Sequence, residues 1–225
     1  MRFFGLLFIA IAALLCGCSS LGATVVDFRV RMDISYHSSG EIASGFDTGK
    51  VSEMQKHPKS LEAFADLKYQ DSLLSWVISV DNIIIDNLVQ NLSDKLLILH
   101  WDQALLSSSH QPDDTLLRSY GSSVAGEVLG PKGYVPKNED RLHKLIPLHL
   151  SPGQKANVDF NPKLTELFNS GRLFGVRYEP GKTTLIESGI GNWLLIKLPV
   201  DWGGQPLTMH IKLTALDAKA RISYF

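Results

Sequence analysis

Residues 74–102 read LSWVISVDNIIIDNLVQNLSDKLLILHWD, and their pattern decides the fold class. The first apolar run repeats at every second residue, at Leu74, Trp76, Ile78 and Val80. A second run covers 83–90, a polar turn follows at 91–94, and Leu97, Leu99 and Trp101 again share one face. A period of two is typical of a β-strand with one buried face. The segment predicts a hairpin or its equivalent in a sandwich.

The same alternation occurs near both ends of the chain. Apolar residues take every second position over 26–36, and Met209, Ile211 and Leu213 alternate with Thr208, His210 and Lys212. Residues 216–219 are then predicted to turn the chain back into a strand at 220–225. Further strands are predicted at Leu145–Leu150, Ala156–Phe160, Arg172–Tyr178, Thr183–Glu187 and Trp193–Pro199. So many short strands between turn signals favour a mainly β fold, an antiparallel immunoglobulin-like β-sandwich.

One short helix interrupts this pattern. The spacing of Leu61, Phe64 and Ala65, with Pro58 at the start, predicts a helix over 58–70. Residues 37–57 are rich in glycine, serine and charge, and we expect a long loop or linker there. The predicted organisation is a leader at 1–17, a tether with a strand, loop and short helix at 18–72, and a β-sandwich domain at 73–225.

The first eighteen residues, MRFFGLLFIAIAALLCGC, predict the location of the protein. Arg2 supplies the positively charged n-region of a signal peptide, and residues 3–15 form an apolar h-region of the length that secretion requires. Leu15-Cys16-Gly17-Cys18 resembles a bacterial lipobox, which makes Cys18 the predicted site of lipidation and the new N-terminus. An uncleaved anchor is the weaker alternative, because the run is shorter than the ~20 residues that span a bilayer. An ordinary secretory signal peptide is the second alternative to a lipoprotein signal. Ser19, in place of aspartate, favours sorting to the outer membrane.

Composition argues against a nucleic-acid partner and against a disulfide bond in the mature chain. The chain has 22 basic and 23 acidic residues, a formal net charge of −1, and no basic stripe, so we expect no nucleic-acid partner. Of its two cysteines only Cys18 would remain after cleavage, which leaves no disulfide in the mature chain. The expected contacts are therefore the membrane, through the lipid anchor, and an envelope protein of unknown identity.

A resemblance to uncharacterised bacterial lipoproteins rests on the central motif. Its residues are Tyr69, Asp71, Asn91, Ser93, Asp94, Lys95, Leu97, Leu99, Trp101 and Asp102, with later turns at Ser151-Pro152-Gly153 and Leu198-Pro199. The chain departs from the pattern in having leucine for isoleucine in the strand and extra length over 107–133. The resemblance implies a β-sandwich lipoprotein of the cell envelope, and it implies no activity.

Two polar residues are candidates for a site. On a strand, His100 and Asp102 would face the same side about 6.6 Å apart, a spacing suited to a shared metal or a base and its orienting carboxylate. The alternative is that both side chains face water while Trp101 packs inward. No two of the seven histidines are two to five residues apart, so no metal site is predicted, and no cofactor. Convergence of His100, Asp102, His110 and Asp113 in one cleft would favour an enzyme.

Trp202 is the third candidate. It lies in Asp201-Trp202-Gly203-Gly204, which predicts a loop, and an exposed loop tryptophan can contact sugar or protein. Taken together, the patterns predict a lipid-anchored, non-catalytic binding or structural lipoprotein facing the periplasm. The alternative is an envelope hydrolase or a carbohydrate-binding module with its site on the sandwich loops.

Overall fold

A computed structural model describes residues 23–38, 41–43, 49–54, 66–80, 85–124, 142–143, 145–162, 174 and 189–223. Five strands precede residue 81, namely β1 (Ala23–Ser38), β2 (Glu41–Ile42), β3 (Lys50–Met54), β4 (Asp66–Gln70) and β5 (Leu74–Val80). The central strands are β6 (Ile85–Asn91), β7 (Leu97–Leu99), β8 (Leu105–Ser108), β9 (Gln111–Leu116) and β10 (Ser119–Val124). The last are β11 (Leu142–His143), β12 (Leu148–Leu150), β13 (Lys155–Pro162), β14 (Trp193–Trp202) and β15 (Gln205–Ser223).

The strands form two antiparallel sheets, which confirms the predicted mainly β, sandwich architecture. The first sheet has the order β12-β7-β14-β15-β1-β2, and β8 joins β14 to β9 beside it. The second sheet has the order β11-β10-β13-β6-β5-β4-β3. Apolar side chains from both sheets are buried in one cluster, in which the Trp76 ring of β5 meets the Trp101 ring edge to face at 5.8 Å. β1 and β4 contribute to this core, so the sandwich uses residues on both sides of position 73.

The longest pairing of the fold joins the first strand to the last. β1 and β15 pair from Ala23↔Ser223 to His37↔Thr208, and Leu216 is the extra residue of a β-bulge opposite Arg29 and Val30. The predicted alternation is confirmed here, because Phe28, Val30, Met32 and Tyr36 are buried. The predicted turn at 216–219 is wrong. The bulge accommodates the break in alternation at 216–219, and β15 continues through it without reversing direction.

Two other predictions, a helix over 58–70 and a loop at 37–57, differ from the structure. Asp66–Gln70, the end of the predicted helix, is strand β4, because Leu67 and Tyr69 share a buried face in a two-residue period. Residues 58–65 lie outside the described residues, as do most of the strands predicted at 172–178 and 183–187. The segment predicted as a loop at 37–57 contains β2, β3 and the end of β1. The insertion at 107–133 contains β9, β10 and the end of β8, which the pattern did not predict.

The motif at Asn91 forms the crossing from the second sheet to the first. The Asn91 amide donates to the backbone carbonyls of Lys95 and Leu150, at 2.8 Å each. Its side-chain oxygen accepts from the backbone N–H and the hydroxyl of Ser93, at 2.9 and 2.8 Å. Asn91 is fully buried, and these bonds satisfy groups that would otherwise be costly to bury. The predicted turn therefore connects strands of opposite sheets, which is the sandwich equivalent of a hairpin.

Candidate functional site

His100 and Asp102 lie at a break between two strands rather than on one strand. β7 ends at Leu99, and Trp101–Gln103 form a 3₁₀ turn before β8 begins. The strand predicted through Asp102 is therefore wrong, although Trp101 packs inward as expected. The turn brings His100 Nδ1 within 4.0 Å of Asp102 Oδ1. Both side chains are partly buried, at 29% and 18% exposed. At 4.0 Å the two atoms are beyond hydrogen-bond distance, so the side chains are neighbours without a hydrogen bond between them.

The four residues whose convergence would favour an enzyme do not all meet in one place. The backbone N–H of His100 bonds to Pro199, whereas the His110 ring lies 2.8 Å from the amide nitrogen of Asn192. Asn192 immediately precedes β14, and Pro199 lies within β14 seven residues further on, which corresponds to roughly 23 Å along a strand. Asp113 is an exposed residue of the edge strand β9. The geometry therefore separates His100 and Asp102 from His110.

Trp202 is the last residue of β14, which corrects its predicted place in a loop. Only Gly203 and Gly204 form the turn, both with positive φ (58° and 89°), the geometry of a tight hairpin. The ring is half-buried against the core, and Lys95 Nζ lies 4.2 Å from its centroid. A Cβ at Gly203 would come within 2.6 Å of the Lys95 side chain, so glycine leaves room for this cation–π contact. A role for Trp202 in binding stays a prediction.

The structure brings together a histidine pair that the sequence spacing did not indicate. His37 and His210 stack with ring centroids 3.8 Å apart and planes 23° from parallel. They belong to the adjacent strands β1 and β15. Ser35 Oγ lies 3.0 Å from His37 Nε2. Lys197 of β14 is in register with His210 and forms an ion pair with Asp114 of β9. We call these five residues the histidine patch.

The surroundings favour a neutral His210. Burial lowers the pKa of His210, and the nearby His37 and Lys197 lower it further, while Asp114 partly opposes them. Imidazole lone pairs lie in the ring planes, so near-parallel rings do not direct them at one metal ion. Among the described residues, no group of three metal-binding side chains occurs either. At neutral pH the His210 ring is therefore uncharged, and the stacked rings are not arranged to share one metal ion.

This environment predicts that His210 makes the fold less stable in mild acid. Its folded pKa lies below that of the unfolded chain, about 6.5, so the unfolded state binds more protons as the pH falls. The contribution is intact above that value and is lost as the pH drops below it. The free energy of unfolding, measured with urea at pH 7 and pH 5, should fall less in His210→Asn than in the parent. For His149→Asn, at an exposed position of β12, the free energy of unfolding should decrease by as much as it does in the parent. Equal losses in the parent and His210→Asn would contradict the assignment.

A second polar cluster ties the two sheets together. Tyr36 of β1 and Tyr69 of β4 both donate to Asp71 Oδ2, at 2.7 Å each. Asp71 Oδ1 accepts the backbone N–H groups of Leu73 and Leu74, at 2.7 and 2.8 Å. Burial, with the Asp71 carboxylate, raises the pKa of both phenols, so they remain donors at neutral pH. The motif Tyr69-x-Asp71 therefore builds a brace, because one carboxylate has its acceptor positions occupied by four donors.

No family model, curated protein or solved structure matches the chain. Cys18 lies outside the described residues. No helix in the described part of the chain is long and apolar enough to cross a membrane.

Proposed function

We propose that the protein is a lipid-anchored, non-catalytic binding or structural lipoprotein of the bacterial cell envelope. The observation that carries the proposal is the lipobox-like Leu15-Cys16-Gly17-Cys18 after an apolar leader. Strand β1 begins at Ala23, only five residues after Cys18. Three acyl chains, the usual complement of a lipoprotein cysteine, would hold such a domain permanently, whereas one chain binds only marginally. Ser19 supports the outer membrane, with the sandwich in the periplasm.

The internal polar residues support a binding or structural role. Asp71 accepts from four donors. Asn87 accepts from the Trp76 indole and donates to the carbonyls of Ile85 and Val158. Asn91 secures the crossing between sheets. These side chains form their hydrogen bonds within the fold itself, and such internal bonds are what a rigid scaffold requires. We do not adopt the hydrolase alternative, because His100 contacts Pro199 of β14 whereas His110 contacts Asn192, seven residues away along the chain.

Cys18→Ser should move the protein from the membrane fraction to the soluble periplasmic fraction. Serine cannot form the thioether that carries the lipid, while the sandwich, which begins at Ala23, should still fold. The measurement is fractionation of cells that express the full chain, with mass spectrometry of the N-terminal peptide. The matched control is Cys16→Ala, which changes the other cysteine of the leader and puts a commoner residue in its slot. That variant should stay in the membrane and carry acyl chains. Retention of Cys18→Ser in the membrane would contradict the proposal.

The partner is expected to be a protein of the same envelope. Crosslinking in intact cells, followed by identification of the captured proteins, should give the same partner for the parent and for Cys16→Ala. Capture should weaken for Cys18→Ser, because release from the membrane lowers the local concentration of the two proteins. A purified protein that cleaves a cell-wall polymer and captures no partner would overturn the non-catalytic role.

A further inference from the structure

We infer that the anchor holds the sandwich with the start of β1 against the bilayer and the Gly203-Gly204 turn at the opposite, membrane-distal end. The inference rests on the proposed lipidation of Cys18, and it adds the orientation of the domain and the direction from which a partner reaches Trp202. Its basis is the length of chain between the anchor and the first strand, together with the direction in which that strand runs.

The connection is too short to be a free tether. Four residues, 19–22, separate Cys18 from Ala23, the first residue of β1. An extended chain spans at most about 3.6 Å per residue, so five steps reach about 18 Å. Ala23 therefore lies within about 18 Å of the lipidated residue in every conformation of the link. The predicted tether that precedes the N-terminal strand therefore has at most four residues between Cys18 and β1.

The first sheet then runs away from this point. β1 has 16 residues, which corresponds to roughly 50 Å of strand. β15 pairs with it in antiparallel register, so Leu216 lies near the middle of β1 and Gln205 lies beyond its end. β14 ends at Trp202, opposite Gln205. Along β15, Gln205 and Leu216 are 11 residues apart, or roughly 36 Å.

The same end of the sandwich carries the crossing between the sheets. Leu97 pairs with both Trp202 and Leu150, and Gly153 bonds to Asn91. The Trp202–Lys95 contact and the Asn91 crossing therefore lie together, far from Ala23. Charge gives the domain no reason to lie flat on anionic lipid, because the chain has more acidic than basic residues and β9 exposes Asp113 and Asp114. A partner that contacts Trp202 would approach from the aqueous compartment, not from the bilayer.

The orientation can be measured with two cysteine variants of the full, lipidated protein. Leu216 is 45% exposed at the bulge, and Gln205 is exposed at the turn. Leu216→Cys and Gln205→Cys would each supply one free thiol, because cleavage removes Cys16 and lipidation consumes Cys18. Each is labelled with a donor dye and reconstituted into phosphatidylcholine vesicles that carry an acceptor dye on the headgroup. Energy transfer falls steeply with distance, so we expect transfer from position 216 to be at least about twofold more efficient than from 205.

Two further variants guard against a local effect of labelling. Ile190→Cys, beside the bond from Gly191 to Ala215, and Ser151→Cys, at the turn after β12, should repeat the contrast. A twelve-residue Gly/Ser insertion after Ser20 should reduce transfer from position 216 towards that from 205, because a flexible linker of that length adds roughly 20 Å of reach. Undiminished transfer from 216 after the insertion would overturn the inference, since the link would not be what sets the orientation.

The outcomes separate the orientation from the anchor. Protein that floats with the vesicles, with equal or reversed transfer at the two positions, keeps the proposed lipoprotein and overturns the orientation. Protein that does not float, with an unmodified Cys18 by mass spectrometry, overturns both. Flotation with the expected contrast supports the orientation.

Discussion

Asp71→Ala should lower the free energy of unfolding by about 3 to 4 kcal/mol, because it leaves several donors in the interior without their acceptor. The Tyr36 and Tyr69 hydroxyls and the N–H groups of Leu73 and Leu74 all bond to this carboxylate. Tyr36 belongs to the first sheet and Tyr69 to the second, so the loss also loosens the contact between sheets. Urea unfolding at pH 7 should show a lower midpoint with an unchanged slope.

Two variants separate the brace from the loss of a charge. Asp71→Asn keeps one side-chain oxygen for the backbone donors, and it should lose about half as much stability as Asp71→Ala. Asp94→Ala removes an acidic residue at an exposed position of the Asn91 turn, and it should change stability by less than about 0.5 kcal/mol. If Asp71→Ala were as stable as Asp94→Ala, the four hydrogen bonds would not be holding the sheets.

Trp101→Ala should cost about 3 to 5 kcal/mol, the range for removing a large aromatic side chain from a close-packed core. Trp101 is fully buried, and its ring meets Trp76 edge to face across the two sheets. Trp101→Phe should cost much less, because it keeps an aromatic ring in the same space. The measurement is again the free energy of unfolding, with near-ultraviolet circular dichroism as a check on core packing.

Trp202→Ala is the matched control for the loss of an indole. Trp202 is half-buried at the end of β14, and its ring contacts Lys95, so its removal should cost less than half as much as that of Trp101. Equal losses at the two positions would show that the 3₁₀ turn does not place Trp101 in the centre of the core.

Strict alternation made the long strands predictable. In β5 every second side chain is buried, and the same two-residue period is seen at 28–32 of β1 and at 207–215 of β15. A sheet with one face in solvent requires that period. β9 was missed because Gln111–Leu116 is an edge strand whose side chains lie largely in solvent, so no apolar period marks it. The helix was overestimated because Leu67 and Tyr69 satisfy a two-residue period, whereas Leu61, Phe64 and Ala65 satisfy a helical one. A short apolar run permits both.

The polar groupings depend on register, which a single sequence does not reveal. His37 and His210 are far apart in the chain, and only the pairing of β1 with β15 brings the rings into contact. The alternation predicts that His210 points outward, but it does not predict the contact with His37, because the pattern favours a loop at 37–57. Strand β7 pairs with one stretch of β14 and β8 pairs with another, and the 3₁₀ turn after His100 connects the two strands. Trp101 stays buried across this break. Alternation alone does not show such a break.

The pairing of β1 with β15 sets the order in which the molecule can be assembled. Ala23 meets Ser223, and Tyr36 meets Met209, so the pairing of β1 cannot form until β15 has been synthesised. Bringing such distant segments together costs loop-closure entropy before any contact repays it, and β-proteins of this kind fold in about milliseconds to seconds. The apolar face of β1 therefore lacks its partner strand until β15 has been synthesised about 170 residues later.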